Sequence, residues 1–437
     1  MSKAFHLRRI ALVEVKALAW LLVLAIVAFP AFASERVTVQ QLAQAVADLH
    51  GKADREVAQR LTVLELTERL TRQRFEQMKA ALPGDKSRQA LLALTDASAF
   101  LDLPVADTLH DPAPDSATQG QIVSRAADFV VATISRMPDF FASRTTTRFQ
   151  DSEVSEAAKS ASVKGYGGSF ISSDGGFFLK DKNTDTVTFR NGREVAESVT
   201  KKKSGSSVTV SSGLANWGIF GPLLGVVMAD VMRGKIGWGH WEQGPQGKLA
   251  VFRYAVPKDR SNYTVRYCCF LSENGDISEF EAVPSYYGEI AIDPVSGSVF
   301  RLVLKTNLQP PALGSADEMP IERLDVLVDY GPVEIGGKTC ICPVESTTIS
   351  RAEALEFHGY TFYVNKKGKP DPNGNKLGHS EAPNLPKVTA INDVVFEDYH
   401  QFRGEMRILP ADSADQDGTA PAPGAAAPPK PPTHLLP

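Results

Sequence analysis

The sequence has few cysteines, no excess of positive charge and none of the common catalytic motifs, and each shortage excludes a class of protein. Four cysteines in 437 residues are too few for a dense disulfide scaffold, so a hydrophobic core has to hold the fold together. A formal net charge of −4 provides no positive field for a polyanion, which argues against nucleic-acid binding. The length allows two domains.

The missing motifs argue against an enzyme. The chain has no Gly-x-Ser-x-Gly elbow, no His-Glu-x-x-His and no Gly-x-Gly-x-x-Gly after a strand. Residues 331–339 approach a phosphate-binding loop, but the spacing is one residue off and a β-like stretch with Pro343 follows instead of a helix. Gly336-Gly337 is more typical of a hairpin turn. We therefore expect no catalytic residue, no metal ligand and no cofactor.

The N-terminus predicts export. An apolar run at 17–29 and the small-residue motif at 31–33 are typical of a signal peptide. Four basic residues precede the run: Lys3, Arg8, Arg9 and Lys16. An uncleaved anchor is the alternative, but the run is shorter than the ~20 apolar residues that span a bilayer. We expect cleavage of residues 1–33, a mature chain starting near Ser34 with no transmembrane span, and a periplasmic or extracellular location.

Residues 34–104 have the pattern of a helical domain. Thr38 and Gln41 form a capping-box signature before the first apolar-periodic segment. Thr62 and Glu65 repeat that signature and predict the start of a second long helical face, which ends at Pro83-Gly84. A third helix is predicted over 85–101. Two prolines and scattered acids at 105–118 then predict a linker and a domain boundary.

Residues 119–409 are predicted to be mostly antiparallel strands after one amphipathic helix that ends at Pro138. Sequential turns, including Asn191-Gly192, favour a meander. The strands are predicted at 141–149, 163–172, 175–181, 186–191, 207–211, 235–242, 249–256, 263–271, 287–293, 298–308, 321–330, 338–349 and 388–397. The alanine- and proline-rich segment 410–437 is predicted to be a disordered tail.

One helix is predicted inside the strand region, near 221–233, and it is apolar on all sides. Such a helix must be buried, and packing against the sheet is its economical placement. It either covers an apolar ligand or is an ordinary core helix. The candidate ligand-binding residues come from the apolar face of this helix and from a nearby predicted strand with the sequence Trp-Gly-His-Trp at 238–241. They are Phe220, Leu223, Leu224, Val227, Trp238 and His240. Alternation along that strand predicts that His240 shares a face with Trp238.

The four cysteines occur as a vicinal pair, Cys268-Cys269, and as Cys340-x-Cys342, on two predicted strands. A vicinal pair on a strand points its side chains to opposite faces, so a four-thiolate metal site is awkward. An oxidising exported setting favours a disulfide instead. We predict a bridge between Cys269 and Cys342, with Cys268 to Cys342 as the alternative.

Three segments carry a resemblance to a group of uncharacterised secreted bacterial proteins: 137–149, 287–302 and 329–339. The order of the predicted elements is a helix followed by a long antiparallel sheet with one inserted helix. In this order the chain resembles, more distantly, the unclosed half-barrels of periplasmic lipoprotein carriers and envelope-stress sensors. That resemblance covers about 119–409 and implies a curved antiparallel sheet with a lipid or acylated protein as partner. Together with the helical pattern of 34–104, it predicts an α+β fold in which an N-terminal helical domain precedes an unclosed half-barrel.

Three functions follow as hypotheses. The first is a non-catalytic exported protein that binds an apolar ligand or acylated partner in the half-barrel. The second is a structural or protein-interaction module of the cell envelope whose core is filled by its own side chains. An unrecognised hydrolase ranks third, because no nucleophile and base stand out.

Overall fold

The structure is a computed structural model. It describes residues 35–151, 153–154, 171–172, 176–195, 222–271, 277–308, 321–353 and 387–402. These all belong to one compact unit. The predicted signal peptide, Phe220 and the predicted tail lie outside the described residues.

Four short helices follow one another near the N-terminus: α1 (Val39–Asp48), α2 (Asp54–Thr62), α3 (Arg72–Ala80) and α4 (Asp85–Ala97). The capping box predicted at the start of α1 is confirmed. The Thr38 hydroxyl accepts from the Gln41 N–H at 3.2 Å, and Gln41 Oε1 accepts from the Thr38 N–H at 2.8 Å. The apolar faces of these helices bury leucines such as Leu42, Leu61 and Leu91 in a core of their own.

The second predicted capping box, at Thr62 and Glu65, is wrong. The Thr62 hydroxyl donates to the Ala58 carbonyl at 2.8 Å inside the last turn of α2. The next residues form strand β2 (Leu64–Leu66), which pairs in parallel with β1 (Glu35–Val37). Residues 64–66 alternate between buried and exposed, as expected of a strand with one buried face. Local signals predict a helix start here, but pairing with β1, which is distant in sequence, determines the secondary structure of this segment.

The α+β fold class is confirmed, with an open antiparallel sheet of eleven strands in the described part of the chain. Its strands are β3 (Thr108–Leu109), β4 (Phe140–Gln150), β7 (Phe178–Arg190), β8 (Arg193–Val195), β9 (Lys235–Gly244), β10 (Gly247–Val256), β13 (Ser285–Ile292), β14 (Val299–Asn307), β15 (Ile321–Ile335), β16 (Lys338–Glu353) and β17 (Lys387–Gln401). Their order across the sheet is β3-β9-β10-β13-β14-β15-β16-β17-β4-β7-β8. The sheet does not close on itself and forms a half-barrel.

The strand order departs from a simple meander, because some neighbouring strands are not consecutive in the chain. β4 lies between β17 and β7, so an early strand pairs with the last one. The segment predicted as a strand at 263–271 forms β11 (Val265–Leu271), but it pairs with β12 (Ile277–Ala282) in a separate sheet. β10 pairs directly with β13, and this excludes the β11–β12 hairpin from the large sheet. The short strands β5 (Glu153–Val154) and β6 (Ile171–Ser172) form another small pair.

Two tight turns occur where the sequence predicts them. Asn191 and Gly192 join β7 to β8 with φ of 52° and 74°, and Gly336 and Gly337 join β15 to β16 with φ of 60° and 79°. Positive φ at both central residues is the type I′ geometry, which matches the twist of the flanking strands and which asparagine and glycine tolerate best. The glycine pair is thus a hairpin turn and not part of a phosphate-binding loop.

The two faces of the sheet carry different layers. The apolar face, marked by Leu302, Leu304 and Val328, packs against α5 (Ser116–Arg136) and α6 (Pro222–Val231). α6 is the buried helix predicted inside the strand region. The opposite face, called here the mixed face, carries both apolar and charged side chains. Its apolar residues pack against the end of α4 and the residues after it: Val303, Leu327, Ile349 and Ile391.

Part of the predicted linker belongs to the sheet. Thr108 and Leu109 form the edge strand β3 on β9. The Trp241 indole N–H donates to the Pro112 carbonyl at 2.9 Å, and Lys248 pairs with Asp111 at 3.0 Å. A two-residue edge strand leaves few free backbone groups for unwanted pairing. The domain boundary predicted at 105–118 stays a prediction.

Candidate functional site

The structure brings most of the predicted apolar site together. Leu223, Leu224 and Val227 are buried on α6 within the core of the apolar face, and Trp238 on β9 packs against the same core. The Trp238 ring meets Trp241 edge to face, with centroids 4.9 Å apart. These residues therefore share one environment, as the sequence predicts.

That environment is filled by side chains. The cavity that Leu224 lines measures about 20 Å³. It lies between α5, α6 and the sheet, against Phe129, Val130, Val299 and Tyr330. A volume of this size holds about one water molecule. Val227 is completely buried, so the helix packs on the sheet with no gap for an acyl chain at this point.

His240 does not lie where the sequence places it. A β-bulge shifts the pairing of β9 with β10, because Val251 pairs with His240 while the next residue, Phe252, pairs with Trp238. Gly239 is the extra residue, and an added Cβ there would lie 2.9 Å from the Val251 carbonyl oxygen. The bulge reverses the alternation, so Trp238 joins the apolar face and His240 lies on the mixed face. The prediction that they share a face is wrong.

α6 also carries a buried acid that the sequence analysis missed. Asp230 is fully buried and accepts three hydrogen bonds: from the Asn262 N–H at 2.8 Å, from the Asn262 amide at 2.5 Å and from the Tyr286 hydroxyl at 2.8 Å. Burial, together with Asp230, raises the pKa of Tyr286. The signal was one acid in an otherwise apolar helix, since a buried carboxylate requires partners. Asp230 anchors α6 to β13.

The mixed face holds a buried ion cluster around Glu242 on β9. Arg301 from β14 donates to both carboxylate oxygens, one of them at 2.7 Å, and Arg69 of the loop before α3 approaches at 3.4 Å. All three side chains are at least 87% buried: the exposed fraction is 9% for Glu242, 13% for Arg301 and 8% for Arg69. Burial alone would raise the pKa of Glu242, but Arg301, His240 and Arg69 together hold it well below its usual range.

A second cluster on the same face consists of carboxyls. Asp96 from α4 meets Glu345 on β16 and Asp393 on β17, with Arg72 from α3 donating to Glu345 at 2.5 Å. Burial raises the pKa of Glu345 to about 8 and that of Asp393 to about 6, and it raises the pKa of Asp96 well above its usual range. A hydrogen bond between the two carboxyls favours the protonated form of Glu345 and the ionised form of Asp393.

Raised carboxyl pKa values are typical of general acids, but they also occur in structural networks. Asp96 and Asp393 are each 3% exposed and lie between the N-terminal helices and the sheet. Among the described residues, no group of three or more His, Cys, Asp and Glu side chains is arranged to hold a metal ion. The arrangement joins α3 and α4 to the sheet in a protonation-dependent way.

This carboxyl cluster makes stability depend on pH. Carboxyls whose pKa is raised by folding bind more protons in the native state than in the unfolded state, so stability falls as pH rises from about 4 to about 8. We expect Asp393→Asn to flatten this fall and to stabilise the protein by about 1–3 kcal/mol at the upper end. Denaturant unfolding across this pH range measures it, with the exposed Asp85→Asn as control. A wild-type profile without slope would contradict the assignment.

The mixed face also has an open cleft of about 270 Å³. It lies between residues 99–102, which follow α4, and the strands β10, β13 and β14. Arg69 lines it together with Arg253, Lys305 and Tyr287. No residue of this cleft belongs to the predicted site.

The predicted disulfide between Cys269 and Cys342 is not present in the structure. Cys340 and Cys342 are free thiols on β16 of the large sheet, whereas Cys269 lies on β11 of a separate sheet. The prediction assumed that the two strands were neighbours in one sheet. Burial raises the pKa of Cys342 to about 12, which keeps it a protonated and unreactive thiol.

Comparison with protein-family models, with curated proteins and with solved structures found no match. The resemblance to half-barrel lipoprotein carriers therefore stays a prediction. None of the helices within the described residues is both long and apolar enough to cross a membrane.

Proposed function

We propose that this protein is an exported, non-catalytic module of the cell envelope that acts as a structural or protein-interaction element. The export part of the proposal rests on the signal-peptide pattern of residues 1–33. The rest depends on one observation, the filled space between α6 and the sheet, where the cavity beside Leu224 is about 20 Å³.

The filled space weighs against the apolar-ligand hypothesis. Binding sites for small molecules enclose roughly 300–1,000 Å³, and an acyl chain needs a continuous apolar space of that order. Leu224, Val227 and Met228 instead bury their side chains against the sheet. An apolar helix that buries its side chains in the core stabilises the fold, and each large apolar side chain that is fully buried contributes about 1.5–3 kcal/mol.

The covering of both faces supports the same proposal. The apolar face lies under α5 and α6, and the mixed face packs against Ala93 of α4 and against Ala99 and Phe100, which follow that helix. Asp230 fixes α6 by hydrogen bonds to Asn262 and Tyr286, so the helix is tied down and not poised to move aside. Such a layered sheet is a rigid element that can carry surfaces for other proteins.

A substitution at Leu224 tests the proposal. We expect Leu224→Trp to lower the free energy of unfolding by about 1–3 kcal/mol, because a filled core accepts a larger ring only with strain. Chemical denaturation measures the change. The matched control is Met232→Trp at the end of the same helix, where the side chain is 54% exposed and a change within about 0.5 kcal/mol is expected. Unchanged or increased stability of Leu224→Trp would show that the interior has room for a ligand.

A further inference from the structure

The cleft on the mixed face contains a buried cation with few partners. Arg69 is 6% exposed. Within the described residues its guanidinium makes a single hydrogen bond, at 3.4 Å to Glu242, although it has five N–H donors. Arg301 already donates to both oxygens of that carboxylate. Burial and the nearby Arg301 lower the pKa of Arg69 to about 10, which still leaves it charged.

Among the residues that line the cleft, positive side chains outnumber negative ones by one. Lys305 donates to the Phe100 carbonyl at 2.6 Å, and Arg253 pairs with Glu289 at 3.0 Å and with Asp102 at 3.4 Å. Three cations thus line the cleft with two carboxylates. Behind Arg69, Glu242 is shared with Arg301, and Asp329 faces both arginines with a pKa that burial raises.

The cleft also has an apolar side. The Tyr287 ring is 51% exposed and Leu101 is 38% exposed, although both line the cleft. Phe100 and Val303 form its buried apolar wall. A volume of about 270 Å³ is much larger than a single inorganic anion needs, and close to the lower limit of small-molecule sites.

From this combination we infer that the cleft binds a small organic carboxylate with a flat apolar body. The carboxylate would accept two parallel hydrogen bonds from Arg69, whose planar fork matches it. Lys305 would add charge, and the apolar body would lie beside Tyr287 and Leu101. Glu242 and Asp329 lie close behind Arg69 and repel added negative charge, which favours a monoanion over a phosphate dianion.

Three probes test this inference on the full mature chain by titration calorimetry: benzoate, the neutral benzamide and inorganic phosphate. We expect saturable benzoate binding at millimolar or lower concentration, with benzamide at least about tenfold weaker because it lacks the charge-assisted bonds. Equal affinity for benzoate and benzamide, tighter binding of phosphate, or no saturable benzoate binding would each overturn the inference.

Two variants locate the site. Tyr287→Ala removes an exposed ring and leaves the core intact, and we expect it to weaken benzoate binding about tenfold. Arg69→Lys keeps the charge but not the planar fork, and a similar loss is expected. The control is Arg88→Met on the exposed side of α4, where Arg88 pairs with the exposed Asp85 at 3.5 Å. Unchanged benzoate affinity in Tyr287→Ala would overturn the placement, even if Arg69→Lys failed to fold.

Discussion

Replacing Glu242 by alanine is expected to lower the free energy of unfolding by about 3–5 kcal/mol, because it removes the carboxylate to which both buried guanidiniums, of Arg301 and Arg69, donate hydrogen bonds. Both guanidiniums are at least 87% buried, with 13% and 8% exposed. Removing one partner of a buried pair costs far more than the pair itself contributes, because the remaining charge stays desolvated. Denaturant unfolding at neutral pH measures the change.

Two controls separate charge from packing in this prediction. Glu56→Ala removes an exposed carboxylate that pairs with Lys52 at 3.0 Å, and we expect a change of less than about 1 kcal/mol. The double variant Glu242→Met, Arg301→Met removes both charges of the closest pair, and it should recover part of the loss. A single variant as stable as the wild type would contradict the role of the ion cluster.

The same carboxylate has a pH signature opposite to that of the carboxyl cluster. Its pKa is held below the value of an unfolded glutamate. Its contribution is therefore fully present above the unfolded pKa and is lost as pH falls through the folded pKa. Glu345 and Asp393 act in the reverse direction at higher pH. Stability should be greatest between the two effects, in mildly acidic solution.

Replacing Asp230 by alanine is expected to cost about 3 kcal/mol, because three donors lose a carboxylate acceptor and one of them, the Tyr286 hydroxyl, is buried. These donors are the Tyr286 hydroxyl and two N–H groups of Asn262. The loss should weaken the attachment of α6 to the sheet, and hydrogen exchange of the α6 amides should increase more than that of β15 amides.

A double-mutant cycle tests this explanation. Tyr286→Phe removes the hydroxyl that Asp230→Ala leaves unpaired, so the two substitutions together should be less destabilising than the sum of both, by roughly 0.5–3 kcal/mol. The control Asp259→Ala changes an exposed acid in the short 3-10 turn after β10, and little effect is expected. Strict additivity would contradict the hydrogen bond as the source of the loss.

The parts of the fold that local chemistry determines could be predicted from the sequence. The capping box of Thr38, the type I′ turns at Asn191-Gly192 and Gly336-Gly337, and the buried helix α6 each depend on residues close in sequence. Their signals are complete within a few positions. The sequence therefore predicts these elements to within a few residues of their observed bounds.

The parts of the fold that depend on pairing between distant residues could not be predicted from the sequence. The pairing of β4 with β17, the separate β11–β12 sheet and the conversion of 64–66 into a strand are set by contacts across the chain. The bulge at Gly239 has no local mark beyond one glycine, yet it moves His240 from one face to the other. The ion cluster of Glu242, Arg301 and Arg69 joins residues up to 232 positions apart in the sequence. No local sequence motif therefore predicts this cluster.

Native mass spectrometry of the protein purified from its natural host under native conditions tests the filled half-barrel most directly. The account predicts the mass of the polypeptide chain from about Ser34 onward, with no co-purifying acyl material before or after denaturation. A larger native mass that falls on denaturation by the mass of one or more acyl chains, and that is reduced in Leu224→Trp, would contradict it.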